Sequence, residues 1–221
     1  MFKIVIVTHK KYYELLKVCL DSLDYGKKYN IVLVVNDSQE YCSDLKQELI
    51  SHKNITVLHY LKVYDIGDYA NHGWHTQQLL KLHISKFIDT EWYIIIDSDQ
   101  EIDRHNYTLE SAFENRKAKC RLTTLKEYQK NAPHFYKYAI NAYQYYMPES
   151  IHNNILSETP LVTIHTSTAK WMMQDFDNNL ILTDKSCEFH LYWAFLKSKK
   201  LDKKYYVDDK NWGIEKIKKI S

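Results

Sequence analysis

The sequence predicts an α/β protein: a doubly wound, mostly parallel sheet flanked by helices, with a compact C-terminal half. Three observations carry that expectation. Short runs such as Ile31-Val32-Leu33-Val34-Val35 and Trp92-Tyr93-Ile94-Ile95-Ile96 read as strands buried on both faces. Segments with helical spacing separate them, the alternation expected of right-handed parallel crossovers. Polar residues follow the runs directly, at Thr8-His9, Asn36-Asp37-Ser38 and Asp97-Ser98-Asp99. In open parallel sheets that edge is where ligands bind.

Taken in order, Phe2 to Thr8 is the first strand, and Lys10 to Leu23 is a helix with its apolar side at Leu15, Leu16, Val18, Cys19 and Leu23. Ile31 to Val35 is the second strand, Leu45 to Ile50 lies in the second helix, and Ile55 to His59 is the third strand. A loop from Lys62 to His72 leads to a helix over Trp74 to Ile88, marked by Leu79, Leu80, Leu82, Ile84 and Phe87. The fourth strand runs from Trp92 to the edge of Asp97. Beyond it the pattern is less regular. Glu101-Ile102-Asp103 suits a short edge strand, Lys126 to Tyr146 is aromatic-rich and helical in its second half, and Leu161 to Ile164 is a strand. Ser167 to Phe176 and Ser186 to Leu196 are helices, and a lysine-rich tail follows Lys197. There is no repeat, low-complexity tract or linker, so residues 1–221 are expected to form one domain. Its halves are 1–103 and 104–221.

Composition excludes several classes. Thirty Lys and Arg against 28 Asp and Glu give a net charge of +2, which offers no electrostatic argument for nucleic acid. The four cysteines are scattered without C-x-x-C spacing, as expected of free thiols in a reducing compartment. The opening Met1-Phe2-Lys3-Ile4-Val5-Ile6-Val7 is too short for a signal-peptide core. No apolar run reaches the length of a membrane helix. The expectation is a cytoplasmic protein without a transmembrane segment; oligomeric state is left open. With four glycines in the chain, neither G-x-G-x-x-G nor a P-loop can be written. A bound nucleotide would therefore need another way to neutralise its phosphates.

Asp97-Ser98-Asp99 offers one. Two carboxylates at a strand end are oxygen ligands for Mg²⁺ or Mn²⁺, with substrate phosphates completing the shell. An acidic turn is the bland alternative, and the tripeptide alone does not decide between them.

The order of these features resembles the GT-A class of glycosyltransferases. Gly73-Trp74-His75-Thr76-Gln77-Gln78-Leu79-Leu80-Lys81-Leu82 is similar to the G-W-x-x-Q-Q-x-x-K-L signature of a set of small bacterial and viral GT-A-like proteins. Thr159-Pro160-Leu161-Val162-Thr163-Ile164-His165 and Ser186-Cys187-Glu188-Phe189-His190-Leu191-Tyr192 are similar to later segments of that set. The resemblance spans residues 2–196. It implies a metal-dependent transferase moving a sugar from a nucleotide-diphosphate donor, uridine-linked, to a glycan or other hydroxyl acceptor. It makes residues 1–103 the nucleotide-sugar half and 104–221 the acceptor and catalytic half. Non-catalytic nucleotide-sugar binding is the alternative.

By the same resemblance, Asp99 is the metal ligand and Asp97 contacts the metal shell or the ribose, with Ser98 between them. Thr8, His9 and Asp37 fall at the nucleoside, although Asn36-Asp37-Ser38 is also good turn chemistry. Gln78 and Lys81 are donor contacts, against the alternative of a solvated helix face. Trp74 reads as a packing residue at the helix start rather than a stacking platform. Glu188 is the expected general base, because a carboxylate on a face shared with Leu191, Tyr192 and Phe195 needs a reason. The alternative for Glu188 is a structural hydrogen bond. His190 is a candidate third metal ligand, weakened by pointing about 200° from Glu188 on a regular helix. His165, Asp208 and Asp209 are substitutes for it.

Overall fold

The computed structural model describes residues 1–65, 73–103, 108–148, 155–156, 162–183, 185–212 and 217–220. Strand β1 (Phe2–Thr8) leads through a 3₁₀ turn to α1 (Tyr13–Ser22), then β2 (Ile31–Val35), α2 (Gln39–Glu48), β3 (Ile55–His59) and the single turn α3 (Tyr60–Val63). Helix α4 (Gly73–His83) precedes β4 (Trp92–Ile95) and β5 (Gln100–Ile102). Short strands β6 (Phe113–Glu114), β7 (Lys117–Cys120) and β8 (Leu122–Thr123) come before α5 (Leu125–Asn131), α6 (Pro133–Tyr146) and β9 (Ile155–Leu156). The chain continues with β10 (Val162–His165), α7 (Thr166–Met172), α8 (Asn179–Leu182) and α9 (Glu188–Ser198). Helix α10 (Asp202–Tyr205), β11 (Tyr206–Asp208) and β12 (Ile217–Lys219) complete it.

The central sheet has the order β10-β4-β1-β2-β3. Strands β1 to β4 are mutually parallel and β10 is antiparallel on β4. Alternation along each strand divides the apolar residues between two cores. Val5, Val7, Val32, Val34, Tyr93 and Ile95 face α4, α6, α7 and α9. Ile4, Ile6, Ile31, Leu33, Ile94 and Ile96 face α1 and α2. Both faces of the sheet are covered, which is why its strands read as unbroken apolar runs rather than alternating ones. Full burial of each such side chain contributes about 1.5–3 kcal/mol.

The parallel strands bring their carboxyl ends to one edge. Thr8, Val35, His59 and Ile95 end the four strands there, and Asp97 lies just beyond. Because β10 runs the other way, Val162 pairs with Ile95 at this edge while His165 pairs with Trp92 at the far one.

Several boundaries differ from expectation. Helix α2 contains the expected Leu45 but ends at Glu48, short of Ile50, and it opens at Gln39 behind a cap: Ser38 Oγ accepts from the Tyr41 N–H at 3.2 Å. The stretch before Tyr146 is helical in both halves, with a Thr124/Glu127 capping box starting α5. The short edge strand expected at Glu101–Ile102 is present as β5, paired antiparallel with β12 from the lysine-rich tail. Leu161, Thr159, Pro160 and the end of the Lys62–His72 loop lie outside the described residues.

Candidate active site

Two adjoining hollows occupy the carboxyl edge of the sheet, and the start of α4 contributes to both. Gly73 lines one and Trp74 the other. Gly73 adopts φ +43°, a conformation that disfavours side chains although a Cβ there would meet open space. Its carbonyl accepts a long hydrogen bond from Asn36 Nδ2, at 3.4 Å, which ties α4 to the end of β2.

The first hollow has a volume of about 500 Å³ and is lined by His9, Asn36, Asp37, Ser38, His59 and Gly73, among others. That size lies within the range of about 300–1,000 Å³ usual for small-molecule sites. Asp37 organises its floor. The Lys10 N–H donates to Oδ2 at 2.9 Å, the Ser38 N–H donates to Oδ1 at 2.7 Å, and His9 Nδ1 lies 3.0 Å from Oδ2. Partial burial raises the carboxyl pKa, but those two amides and His9 outweigh it and hold it below its usual value. His59 Nε2 donates to the Asp37 carbonyl at 2.8 Å. His9 also caps the 3₁₀ turn through the Lys11 amide. Asp37 thus joins the ends of β1 and β2, the turn chemistry its sequence allowed. Thr8 Oγ1 and Asn36 Oδ1 are buried beside it without a hydrogen-bond partner among the described residues.

The second hollow, about 190 Å³, is lined by Trp74, Gln78, Lys81, Asp97, Phe135, Val162, Cys187, Glu188, Phe189 and His190. Five of these were singled out from the sequence as site residues: Gln78, Lys81, Asp97, Glu188 and His190. Lys81 is its electrostatic centre. Its Nζ lies 2.8 Å from Asp97 Oδ1 and 3.2 Å from Glu188 Oε1, and 5.3 Å from the centre of the Phe189 ring. Burial pulls the ammonium pKa down, but the two carboxylates overcome it and hold Lys81 charged. Lys81 is therefore neither solvated nor paired with one acid; it is shared between two.

Glu188 opens α9 and is 1 % exposed. Neither of its carboxylate oxygens has a well-directed hydrogen bond among the described residues, although Lys81 is within ion-pair distance. Burial raises its pKa to about 7 against the opposing effect of Lys81. A buried carboxylate with unused lone pairs is costly unless something else meets it.

His190 lines the same hollow as Glu188, despite the angle between them. Helix α9 is buried along most of its length, so opposite faces at its first turn both lie inside the protein. Tyr128 Oη and His190 Nε2 are 2.8 Å apart, and burial lowers the imidazole pKa to about 4. His165 lies elsewhere. Its register opposite Trp92 places it five residues from Asp97, about 16 Å along the strand, and its Nδ1 bonds Thr168 Oγ1 at 2.6 Å. Asp208 accepts from the Leu122 N–H at 3.0 Å, and Asp209 pairs with Lys119 at 3.2 Å, so both serve the packing of the tail.

For a divalent cation, Asp97 and Asp99 provide the hard oxygen donors. Both carboxylates act on the buried Cys19 thiol, whose pKa burial and then these charges push up to about 12. Asp97 keeps 45 % side-chain exposure, and Ser98 between them is buried. No group of three His, Cys, Asp or Glu side chains is close enough to hold a metal among the described residues. The donor set fits a cation held by two carboxylates and completed by phosphate and water.

Trp74, Phe135 and Phe189 were not expected in a site. Trp74 is 39 % exposed rather than packed away. The aromatic residues look like core when read singly; their grouping around Glu188 arises only on folding.

Comparison with known proteins gives the same fold. A solved structure of the galactosyltransferase LgtC with donor and acceptor sugar analogues matches with a TM-score of 0.51 at 14% identity, covering 90% of this chain and 70% of that one. The bifunctional glycosyltransferase WbbM matches at 0.51 and 12% identity over 94% of this chain, which spans only 38% of WbbM. Mouse xyloside xylosyltransferase 1 matches at 0.50 and 9% identity, covering 94% of this chain and 84% of that one. At these identities the likeness establishes the fold, the GT-A arrangement of a mostly parallel sheet between helices. No curated protein matches in sequence. A family model described as "Family of unknown function (DUF6492)" matches residues 4–218.

Proposed function

The chain belongs to the DUF6492 family, whose function is not known, and from its own site we propose that it is a metal-dependent glycosyltransferase. It moves a sugar from a nucleoside-diphosphate donor, uridine-linked by the GT-A resemblance, to a hydroxyl acceptor with inversion. The observation that carries this is Glu188: a buried carboxylate without a directed hydrogen bond, with pKa near 7, in one hollow with Asp97. A carboxylate tuned close to neutrality is suited to general-base work.

The nucleoside occupies the hollow at Asp37, where the buried Asn36 Oδ1 has no hydrogen-bond partner among the described residues. Asp97 and Asp99 hold Mn²⁺ or Mg²⁺, which when bound supplies Lewis-acid neutralisation of the diphosphate. Gln78 faces the sugar. Glu188 takes the proton from the acceptor hydroxyl as its oxygen forms a bond to the anomeric carbon. The bond from that carbon to the phosphate oxygen breaks, and its electron pair leaves with the nucleoside diphosphate. Lys81 keeps a positive charge beside both carboxylates throughout, so Glu188 ionises near neutral pH despite its burial. His190 is neutral at working pH, its Nε2 held by Tyr128 and its buried Nδ1 without a hydrogen-bond partner among the described residues, so it stays the candidate third ligand for the metal.

A panel of nucleotide sugars titrated in Mn²⁺ tests this reading, scoring the heat of binding and slow donor hydrolysis. At least one donor is expected to bind and hydrolyse, and Asp99→Ala should lose the metal-dependent part of binding. Silence from every donor sinks the reading. Binding without hydrolysis or transfer reduces the protein to a nucleotide-sugar-binding module.

A further inference from the structure

The hollow that holds Glu188 has an aromatic component that proton transfer does not use. Trp74 lines it while remaining 39 % exposed, a large apolar surface to leave open beside a carboxylate. The ring is held in place. Tyr138 stacks on it at 6.0 Å between centroids with 28° between planes, and Phe135 packs edge-on against Tyr138 at 5.8 Å. A fixed aromatic plane loses little conformational freedom when a ligand lands on it. Beside it lies Glu188, 1 % exposed, with Oε1 3.2 Å from Lys81 Nζ and Oε2 without a hydrogen-bond partner among the described residues.

A ligand matching this set needs a flat apolar face and hydroxyl groups around its rim. A pyranose ring has both: axial C–H bonds make one face apolar, and its hydroxyls can donate to the Glu188 carboxylate. A serine, a threonine or a simple alcohol meets Glu188 but leaves the indole uncovered.

We propose that Trp74 is the stacking platform of the acceptor subsite, and that the acceptor is a pyranoside whose ring lies on the indole while one hydroxyl reaches Glu188. The inference rests on the transferase reading, since Glu188 meets the acceptor only if it is the base. It identifies the acceptor class as a sugar, which the fold alone leaves open.

Saturation-transfer NMR with methyl α- and β-pyranosides of glucose, galactose, mannose and N-acetylglucosamine tests it, using wild type, Trp74→Ala and Trp74→Phe without donor. At least one pyranoside is expected to show transfer to its ring C–H protons in wild type. Its Kd should rise about tenfold in Trp74→Ala, while Trp74→Phe stays within about threefold of wild type. Matching melting temperatures exclude misfolding as the cause. No pyranoside binding to wild type, or equal binding to Trp74→Ala, overturns the proposal. Donor affinity in Mn²⁺ is measured on the same variants without acceptor, and pyranoside affinity is expected to fall more than donor affinity does. A parallel fall in both assigns the indole to the donor's sugar and overturns the acceptor assignment. If wild type binds a pyranoside through Trp74 but no nucleotide sugar at all, the transferase reading fails and the sugar platform stands.

Discussion

At the scale of single residues, the site turns on one lysine shared by two acids. Lys81 lies 2.8 Å from Asp97 and 3.2 Å from Glu188. Lys81→Met leaves Glu188 buried beside a second carboxylate with no cation, and breaking a buried pair in this way costs about 3 kcal/mol or more. Urea unfolding should show that loss, and the pH at which turnover begins should move upward. The wild-type profile follows from Glu188, whose pKa rises to about 7. A base must be unprotonated, so kcat should climb as pH rises towards 7 and level off above it. For stability the sign is opposite. A carboxylate whose pKa is raised from its ordinary 4.5 to about 7 by folding holds its proton more tightly in the native state. Its stabilising contribution is complete below about 4.5 and is lost as pH rises through about 7. Melting temperatures of wild type and Glu188→Gln should therefore diverge between pH 5 and 8, with the wild type losing ground as pH increases. Identical slopes would contradict a perturbed Glu188.

At the scale of elements, two connections hold the site's edges. Gly73 starts α4 at φ +43° with open space around its missing Cβ, so Gly73→Ala carries a backbone cost and no clash. About 1 kcal/mol is expected, and less for Gly73→Asn, whose side chain tolerates the left-handed region. Chemical denaturation resolves the difference. Strand β12 pairs with β5, and the Ile220 N–H donates to the Asp99 carbonyl at 2.8 Å. Truncation after Trp212 removes that support while keeping the tryptophan that fills the second core. Mn²⁺-dependent donor binding should weaken while the cooperative unfolding transition persists. The runs Ile4–Val7, Ile31–Val35 and Trp92–Ile95 were legible in sequence because burial on both faces leaves no polar residue to interrupt them. Helix starts set by a cap were not legible: α2 opens on polar Gln39-Glu40, and α5 is announced only by Thr124 and Glu127. The two-residue strands β6, β8 and β9 carry no periodicity to read. In the site, Asp97 and Glu188 stood out because acids beside apolar residues need a reason. Lys81's bridging position did not, since a lysine on a helix gives no sign of which acids fold towards it.

At the scale of the whole molecule, the parallel sheet gathers four strand ends at one edge, and α4 and α9 enclose the space above them. That arrangement explains why residues as distant in sequence as Asp37, Asp97 and Glu188 belong to adjoining hollows, and why His165, on the antiparallel strand, does not. Among the described residues no helix is long and apolar enough to cross a membrane. The central claim is that Glu188 is the base of a sugar transfer whose donor is held by other residues. Glu188→Gln tests it most directly, with donor titration and turnover measured side by side on the nucleotide sugar that wild type hydrolyses. The account predicts donor binding unchanged and turnover lowered by about 10²–10⁴-fold. Turnover retained, or binding and turnover lost together, would contradict it.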